Sequence, residues 1–180
     1  MGFLVLPTTA VRESYLDGES AMCSEEGADP GWLQQAAVDF DGFVARRSAL
    51  GQLWDVPVTQ LWYVDGAAYI GTVVIRHELT PALARTGGHI GYHVVPPHRR
   101  RGHARRMLAD ALVFCAHFGL DRVLITSDET NIASRRTIEA NGGRPDGAVE
   151  GELRYWITTP PAAEQPATDP RDVRTSPSHR

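Results

Sequence analysis

Apolar positions recur along this chain in two periods, and the changes of period divide it into alternating strands and helices. Residues 3–6 (Phe-Leu-Val-Leu) predict a first strand, and 11–22 follow with helical spacing. Residues 24–31, rich in Glu, Gly, Asp and Pro, predict a loop. Leu33, Ala36, Ala37, Phe40, Phe43 and Val44 repeat at helical intervals and predict a helix over 32–50, stopped by Gly51. Residues 60–64 and 68–75 flank Asp65-Gly66, a dipeptide suited to a tight hairpin turn. The run 88–95 (GHIGYHVV) predicts another strand, closed by Pro96-Pro97. Ala104, Met107, Leu108, Ala111, Leu112 and Cys115 then share one face of a helix over 102–118, which Gly119 ends. A strand over 122–126, a helix over 131–141 before Gly142-Gly143, and a last strand over 152–157 complete the pattern. From 158 to 180 the chain is Pro-rich and polar with no period, which predicts a disordered tail behind one folded domain over 1–157.

One hundred and eighty residues suit a single domain with one sizeable core. No apolar run approaches the ~20 residues of a membrane-spanning helix, and the start lacks the basic segment of a signal peptide. Cys23 and Cys115 make no disulfide framework and have no CxxC or His-spaced partner, so a cytoplasmic protein with reduced thiols is expected. A net charge of −4 argues against general nucleic-acid binding. Its distribution is more informative. Residues 1–95 hold five arginines against eleven acids, whereas the next sixty hold ten arginines, half of them from Arg99 to Arg106. The chain contains no lysine. A basic cluster on an acidic body points to a compact anionic ligand, such as a phosphate-bearing cofactor.

That cluster sits between the strand at 88–95 and the helix at 102–118, in Val95-Pro96-Pro97-His98-Arg99-Arg100-Arg101-Gly102-His103-Ala104. The first turn of a helix leaves N–H groups unpaired at its positive end. Gly102 and Ala104 would let a phosphate approach that backbone, and neighbouring arginines could pair with its oxygens. Pro96 and Pro97 cannot donate to a sheet ladder, so pairing should stop near Val95. A strand that parts from its neighbour there exposes donors and acceptors that an extended amide-bearing ligand could use. A pyrophosphate with an amide-bearing arm describes coenzyme A.

The motif Arg99-x-x-Gly102-x-Ala104 resembles the acyl-CoA pyrophosphate loop, Q/R-x-x-G-x-G/A, of the GNAT superfamily of N-acyltransferases, in a bacterial branch of it. The segment Val123-Leu124-Ile125-Thr126-Ser127-Asp128-Glu129-Thr130-Asn131, with Ser134, Glu139 and Gly142, is similar to the strand and helix that follow in that family, and the likeness covers all but the tail. The resemblance implies an α/β fold whose central mixed β-sheet is splayed at the fourth strand, with helices on both faces. It implies acetyl-CoA (coenzyme A) as co-substrate, with no metal. Val94 and Val95 would bind the pantetheine arm and polarise the thioester, Arg99, Arg100, Arg101, Gly102, His103 and Ala104 would hold the pyrophosphate, and Asn131 would touch the arm from the other side. The implied activity is N-acetylation of a primary amine on a small molecule by direct attack in a ternary complex. Alternatives are a protein or peptide acceptor and a non-catalytic acyl-CoA-binding module. No nucleic-acid or membrane partner is expected, and a homodimer is left open.

Acyl transfer to an amine needs a base, because a lysine-like amine with a pKa of about 10.4 is neutral in only about one molecule in a thousand at pH 7. Base candidates are His89, Tyr92 and His93 on the strand, with Glu78 and Asp128 nearby in sequence; His93 is preferred. His89 and His93 share one strand face and Tyr92 lies on the other. Many family members carry a general-acid Tyr seven residues after the Asn, where this chain has Ile138. Ser134, one turn from Asn131, is then the candidate donor to the departing sulfur. The acceptor pocket is expected from the first half of the chain, with Glu25, Glu26, Asp29, Asp39 and Asp41 suited to a cationic amine and Trp32 and Trp54 as lining. Trp62 is expected in the core.

Overall fold

A computed structural model describes residues 1–49 and 51–161 of the chain. The elements run β1 (Phe3–Val5), α1 (Arg12–Glu26), α2 (Gly31–Val38), α3 (Phe40–Ser48), β2 (Gly51–Leu53), β3 (Val56–Asp65), β4 (Ala68–Arg76) and α4 (Pro81–Arg85). Then follow β5 (Ile90–Val94), α5 (His103–His117), β6 (Arg122–Asp128), α6 (Ile132–Glu139), β7 (Arg144–Val149) and β8 (Glu152–Thr158). One sheet has the order β1-β3-β4-β5, with β2 also on β3; the second has the order β6-β8-β7. Every ladder within them is antiparallel. The sheets meet where the His89 N–H donates to the Leu124 carbonyl (2.7 Å) and the Leu124 N–H returns to His89 Nδ1 (2.9 Å). No ladder joins β5 to β6 beyond that point.

Strand alternation sends neighbouring residues to opposite faces and so builds two cores. Leu61 and Tyr63 pack with Met107, Leu108 and Ile138 of α5 and α6. Trp62 and Val64, between and beside them, pack with Tyr15, Phe40 and Phe43 of α1 and α3. Trp62 is fully buried and stacks on Tyr15 at 4.3 Å between ring centres. Burying one large apolar side chain is worth roughly 1.5–3 kcal/mol, so these layers fix α1 over the sheet. Burial also pushes the Cys115 thiol up to about 12, which makes it unreactive.

Several boundaries differ from the sequence expectation. The predicted loop at 24–31 starts late because α1 continues to Glu26. The single helix expected over 32–50 is two helices, since Asp39 leaves helical geometry and its carboxylate accepts the Gly42 N–H to begin α3. The short elements β2, α4 and β7 were not expected, and β2 makes the strand at 90–94 fifth rather than fourth in order. The expected tail begins at 158, yet Thr158 closes β8, and Thr159 bonds through its N–H to Asp121 and through its hydroxyl to Leu120. Residues 162–180 lie outside the described residues. No helix among the described residues is long and apolar enough to cross a membrane.

Candidate active site

The end of β5, the loop after it and the start of α6 enclose a cleft of about 540 Å³. The Val95 N–H bonds to the Ile70 carbonyl of β4 at 3.0 Å, so the neighbouring pair Gly71–Val94 is a non-hydrogen-bonded one. Val94 therefore turns its N–H away from β4, and it lines the cleft. Val95 does not. Its donor is spent on β4 and its side chain is fully buried against the α1 side of the sheet, which corrects the expectation that both valines face the ligand.

At the other end, Arg100 (φ 63) and Gly102 (φ 79) both adopt left-handed backbone and turn the chain into α5. The first intrahelical bond runs from the Arg106 N–H to the Gly102 carbonyl, leaving the N–H groups of His103, Ala104 and Arg105 for another acceptor. Arg100, Gly102, His103 and Ala104 line the cleft, whereas the exposed Arg101 side chain does not. Arg99 lines it too, but its guanidinium is engaged. It donates to Glu25 (2.7 and 2.8 Å), to the Val94 carbonyl (2.9 Å) and to Met22 Sδ. Arg99 thus straps α1 to the loop, instead of offering the free charge expected of it. Of the acids expected to face an acceptor, three are occupied, Glu25 by Arg99, Asp29 by the Gly31 N–H, and Asp39 by the α3 cap and Arg46, whereas Glu26 lines the cleft.

Across the cleft, Asn131 caps α6 by accepting the Ser134 N–H at 3.0 Å, which presents its amide nitrogen and Ser134 to the open space. The Ser134 hydroxyl lies 3.2 Å from the Tyr92 hydroxyl. Burial pushes the Tyr92 pKa up, against the hydrogen bonds of Ser134 and Thr137, so Tyr92 keeps its proton at neutral pH. Ile138 is fully buried in the core and does not line the cleft.

His93 lies on the cleft edge with its side chain about one-third exposed. Its Nε2 is 2.8 Å from Glu19 Oε1, and the same oxygen accepts from the Tyr69 hydroxyl, which itself contacts Thr72 at 2.7 Å. Glu19 was missed in the sequence, where it is one acid within an ordinary helix; only the packing of α1 on the sheet buries it against β5. Burial raises the Glu19 pKa, but the hydrogen bond and charge of His93, with Tyr69, outweigh it and hold the carboxyl below its ordinary value. Glu19 is therefore ionised at neutral pH, accepts the Nε2 proton, and leaves His93 Nδ1 as the basic atom. His89, the other strand histidine, is buried with Nδ1 committed to the Leu124 N–H.

The depressed Glu19 value fixes a pH signature. Its contribution to stability is complete above the ordinary carboxylate range and is lost as pH falls through the lowered value. Thermal melts of Glu19→Gln and wild type should differ most near neutrality, with the gap narrowing in acid. A gap that widens in acid would contradict the lowered Glu19 value.

A second cleft, of about 340 Å³, opens on the far side of the β5–β6 gap and shares Tyr92, Asn131 and Ser134 with the first. The two adjoin at the Tyr92–Ser134 pair, as near and far mouths of the slot beside β5.

Residues 23–144 match the family described as "Acetyltransferase (GNAT) domain". A search of curated proteins found no match. Among solved structures, the chain is similar to Mycobacterium smegmatis RimJ in complex with CoA-disulfide, with TM-score 0.60 and 19% identity over 87% of this chain and 81% of that one. It is similar to RimL, a ribosomal L7/L12 alpha-N-protein acetyltransferase in complex with coenzyme A, with TM-score 0.61 and 14% identity over 87% and 93%. It is also similar to the microcin C7 self immunity acetyltransferase MccE in complex with acetyl-CoA and AMP, with TM-score 0.60 and 14% identity over 87% and 92%. At such identities these likenesses establish the fold, while the family match covers well over half of the sequence and includes the cleft loop. The chain belongs to the GNAT acetyltransferase family.

Proposed function

We propose that this acetyl-CoA-dependent N-acetyltransferase acts on a primary amine of a small molecule, by direct attack in a ternary complex. The observation that carries the reading is the slot itself: a phosphate-sized helix start at one end, and His93 held by Glu19 on its edge. The pyrophosphate of acetyl-CoA would accept from the free N–H groups at the start of α5, beside Arg100. The arm would lie along the unpaired edge of β5, with the Val94 N–H as a donor and the Asn131 amide opposite. The separation of β5 from β6 supports this placement, because it leaves that edge without a protein partner.

The amine would enter from the far mouth, whose size suits a small ligand better than a folded chain. His93 Nδ1 takes its proton, directly or through water, and the nitrogen attacks the thioester carbon. A strand N–H facing the gap stabilises the carbonyl oxygen as it gains charge. As the carbon–sulfur bond breaks, the Ser134 hydroxyl, receiving a hydrogen bond from Tyr92, donates one to the departing thiolate. Holding both reactants aligned supplies much of the acceleration, up to about 7–11 kcal/mol.

The test is free-thiol release from acetyl-CoA across polyamines, aminoglycosides, amino acids and short peptides. Release with free small amines supports the reading. Release with peptides alone would transfer it to a protein acceptor, and calorimetric binding of acetyl-CoA without release from any of them would identify a non-catalytic module.

A further inference from the structure

Arg76 ends β4 and is only 8% exposed. Its Nη1 donates to the carbonyls of Gly87 (3.0 Å) and Gly88 (3.1 Å). Its Nε is enclosed without a hydrogen-bond partner, and no carboxylate among the described residues pairs with the guanidinium. A buried cation left so is costly unless something completes its shell.

Two features leave Arg76 Nη2 open to the far mouth, and a third holds the guanidinium plane in place. A Cβ at Gly91 would stand 3.5 Å from Arg76 Nη2, so the missing side chain is what uncovers that nitrogen. Arg76 and Gly91 both line the far mouth. The Trp54 ring covers the guanidinium at 4.2 Å, from a hairpin turn in which Trp54 (φ 56) and Asp55 (φ 62) are both left-handed. That turn geometry suits Asn-Gly, and a Trp held there is strained in a way that accompanies functional sites.

Charge and spacing define what would fit. Arg76 is bonded across to His89, and His89, Gly91 and His93 follow one another on one face of the sheet. Successive same-face residues are about 7 Å apart, so the edge over Gly91 lies roughly one such step from His93. The far mouth also carries Asp128 and Glu152, paired across the β6–β8 ladder. Cationic and anionic groups thus face one small space.

We propose that Arg76 anchors a carboxylate of the acceptor, which makes the acceptor an amino-acid-type amine with its carboxylate a few bonds from the reacting nitrogen. Arg76 Nη2, the guanidinium nitrogen that Gly91 leaves uncovered, would donate to a carboxylate oxygen from a fixed planar group, an orientation that a flexible ammonium cannot imitate. The proposal rests on the acetyl-transfer reading above and names the substrate class of the same slot.

The experiment compares amino acids with the amines that lack only their carboxylate. Thiol release gives kcat/KM, and calorimetry in the presence of coenzyme A gives binding without turnover. Wild type should favour the carboxylate-bearing member by about 10- to 100-fold, the range of a charge-assisted pair. Arg76→Lys and Gly91→Val should bring that ratio near unity, chiefly through KM. Gly91→Val covers Nη2 and adds a strand-favouring residue, so it tests access even if Arg76→Lys folds poorly. Equal use of both members, or a preference that survives in folded Gly91→Val, overturns the anchor while leaving acetyl transfer standing. Absence of turnover with carboxylate-dependent binding that Gly91→Val abolishes would sustain the anchor and overturn the transfer. Absence of any carboxylate-dependent binding overturns the anchor, and a preference for phosphate-bearing amines alone does the same.

Discussion

His93→Gln is expected to lower kcat/KM for the best amine by about 10²- to 10⁴-fold, the range that a positioned general base contributes. Glutamine is the sharper substitution than alanine. Glu19 is buried and accepts both His93 Nε2 and the Tyr69 hydroxyl through one oxygen. Alanine would leave that carboxylate with one fewer partner, and breaking a buried pair costs about 3–5 kcal/mol, enough to confuse lost chemistry with lost folding. The glutamine amide can still donate to Glu19 but cannot take a proton. A melting temperature close to wild type with kcat/KM reduced 100-fold or more would identify His93 as the base. Activity within threefold of wild type in the folded variant would overturn the assignment, and Glu19 would then be a packing residue only.

Gly102→Val is expected to weaken acetyl-CoA binding by at least about 100-fold, the loss of one or two hydrogen bonds to a charged group. Gly102 sits at φ 79, immediately before the first free N–H groups of α5. A Cβ there meets no protein atom within 4 Å, so it projects into the space proposed for the pyrophosphate. The left-handed backbone itself costs an L-residue about 1–2 kcal/mol, which corresponds to a fall in Tm of roughly 2–8 °C for a chain of this size. Gly102→Ala carries most of that strain with far less bulk. Calorimetry should therefore show Gly102→Ala binding acetyl-CoA much better than Gly102→Val at similar stability. Equal and near wild-type binding by both would mean the pyrophosphate lies elsewhere.

These expectations divide along a physical line. Turn and loop features that depend on neighbours in sequence were legible directly: the Asp65-Gly66 hairpin, the amphipathic face of α5 and the Gly102 turn. The base candidate His93 was also within reach, since strand alternation separates it from Tyr92. What the sequence could not supply was the second member of each pair. Arg99 has the right type and position for a phosphate, yet its charge is taken by Glu25, 74 residues earlier. Val95 looks equivalent to Val94, but only the register with Ile70 shows which of the two retains a free N–H.

By itself, then, the sequence determined the order of the main strands and helices, the glycine turn before α5 and the family resemblance, because each rests on local period or contiguous motif. The tertiary structure alone decided that Glu19 orients His93, that Tyr92 backs Ser134 while Ile138 is buried in the core, and that Arg76 lies without a carboxylate partner beneath Trp54. Those facts join residues from different elements, and burial, which sets their charge and their partners, exists only once the two cores have closed on the sheets.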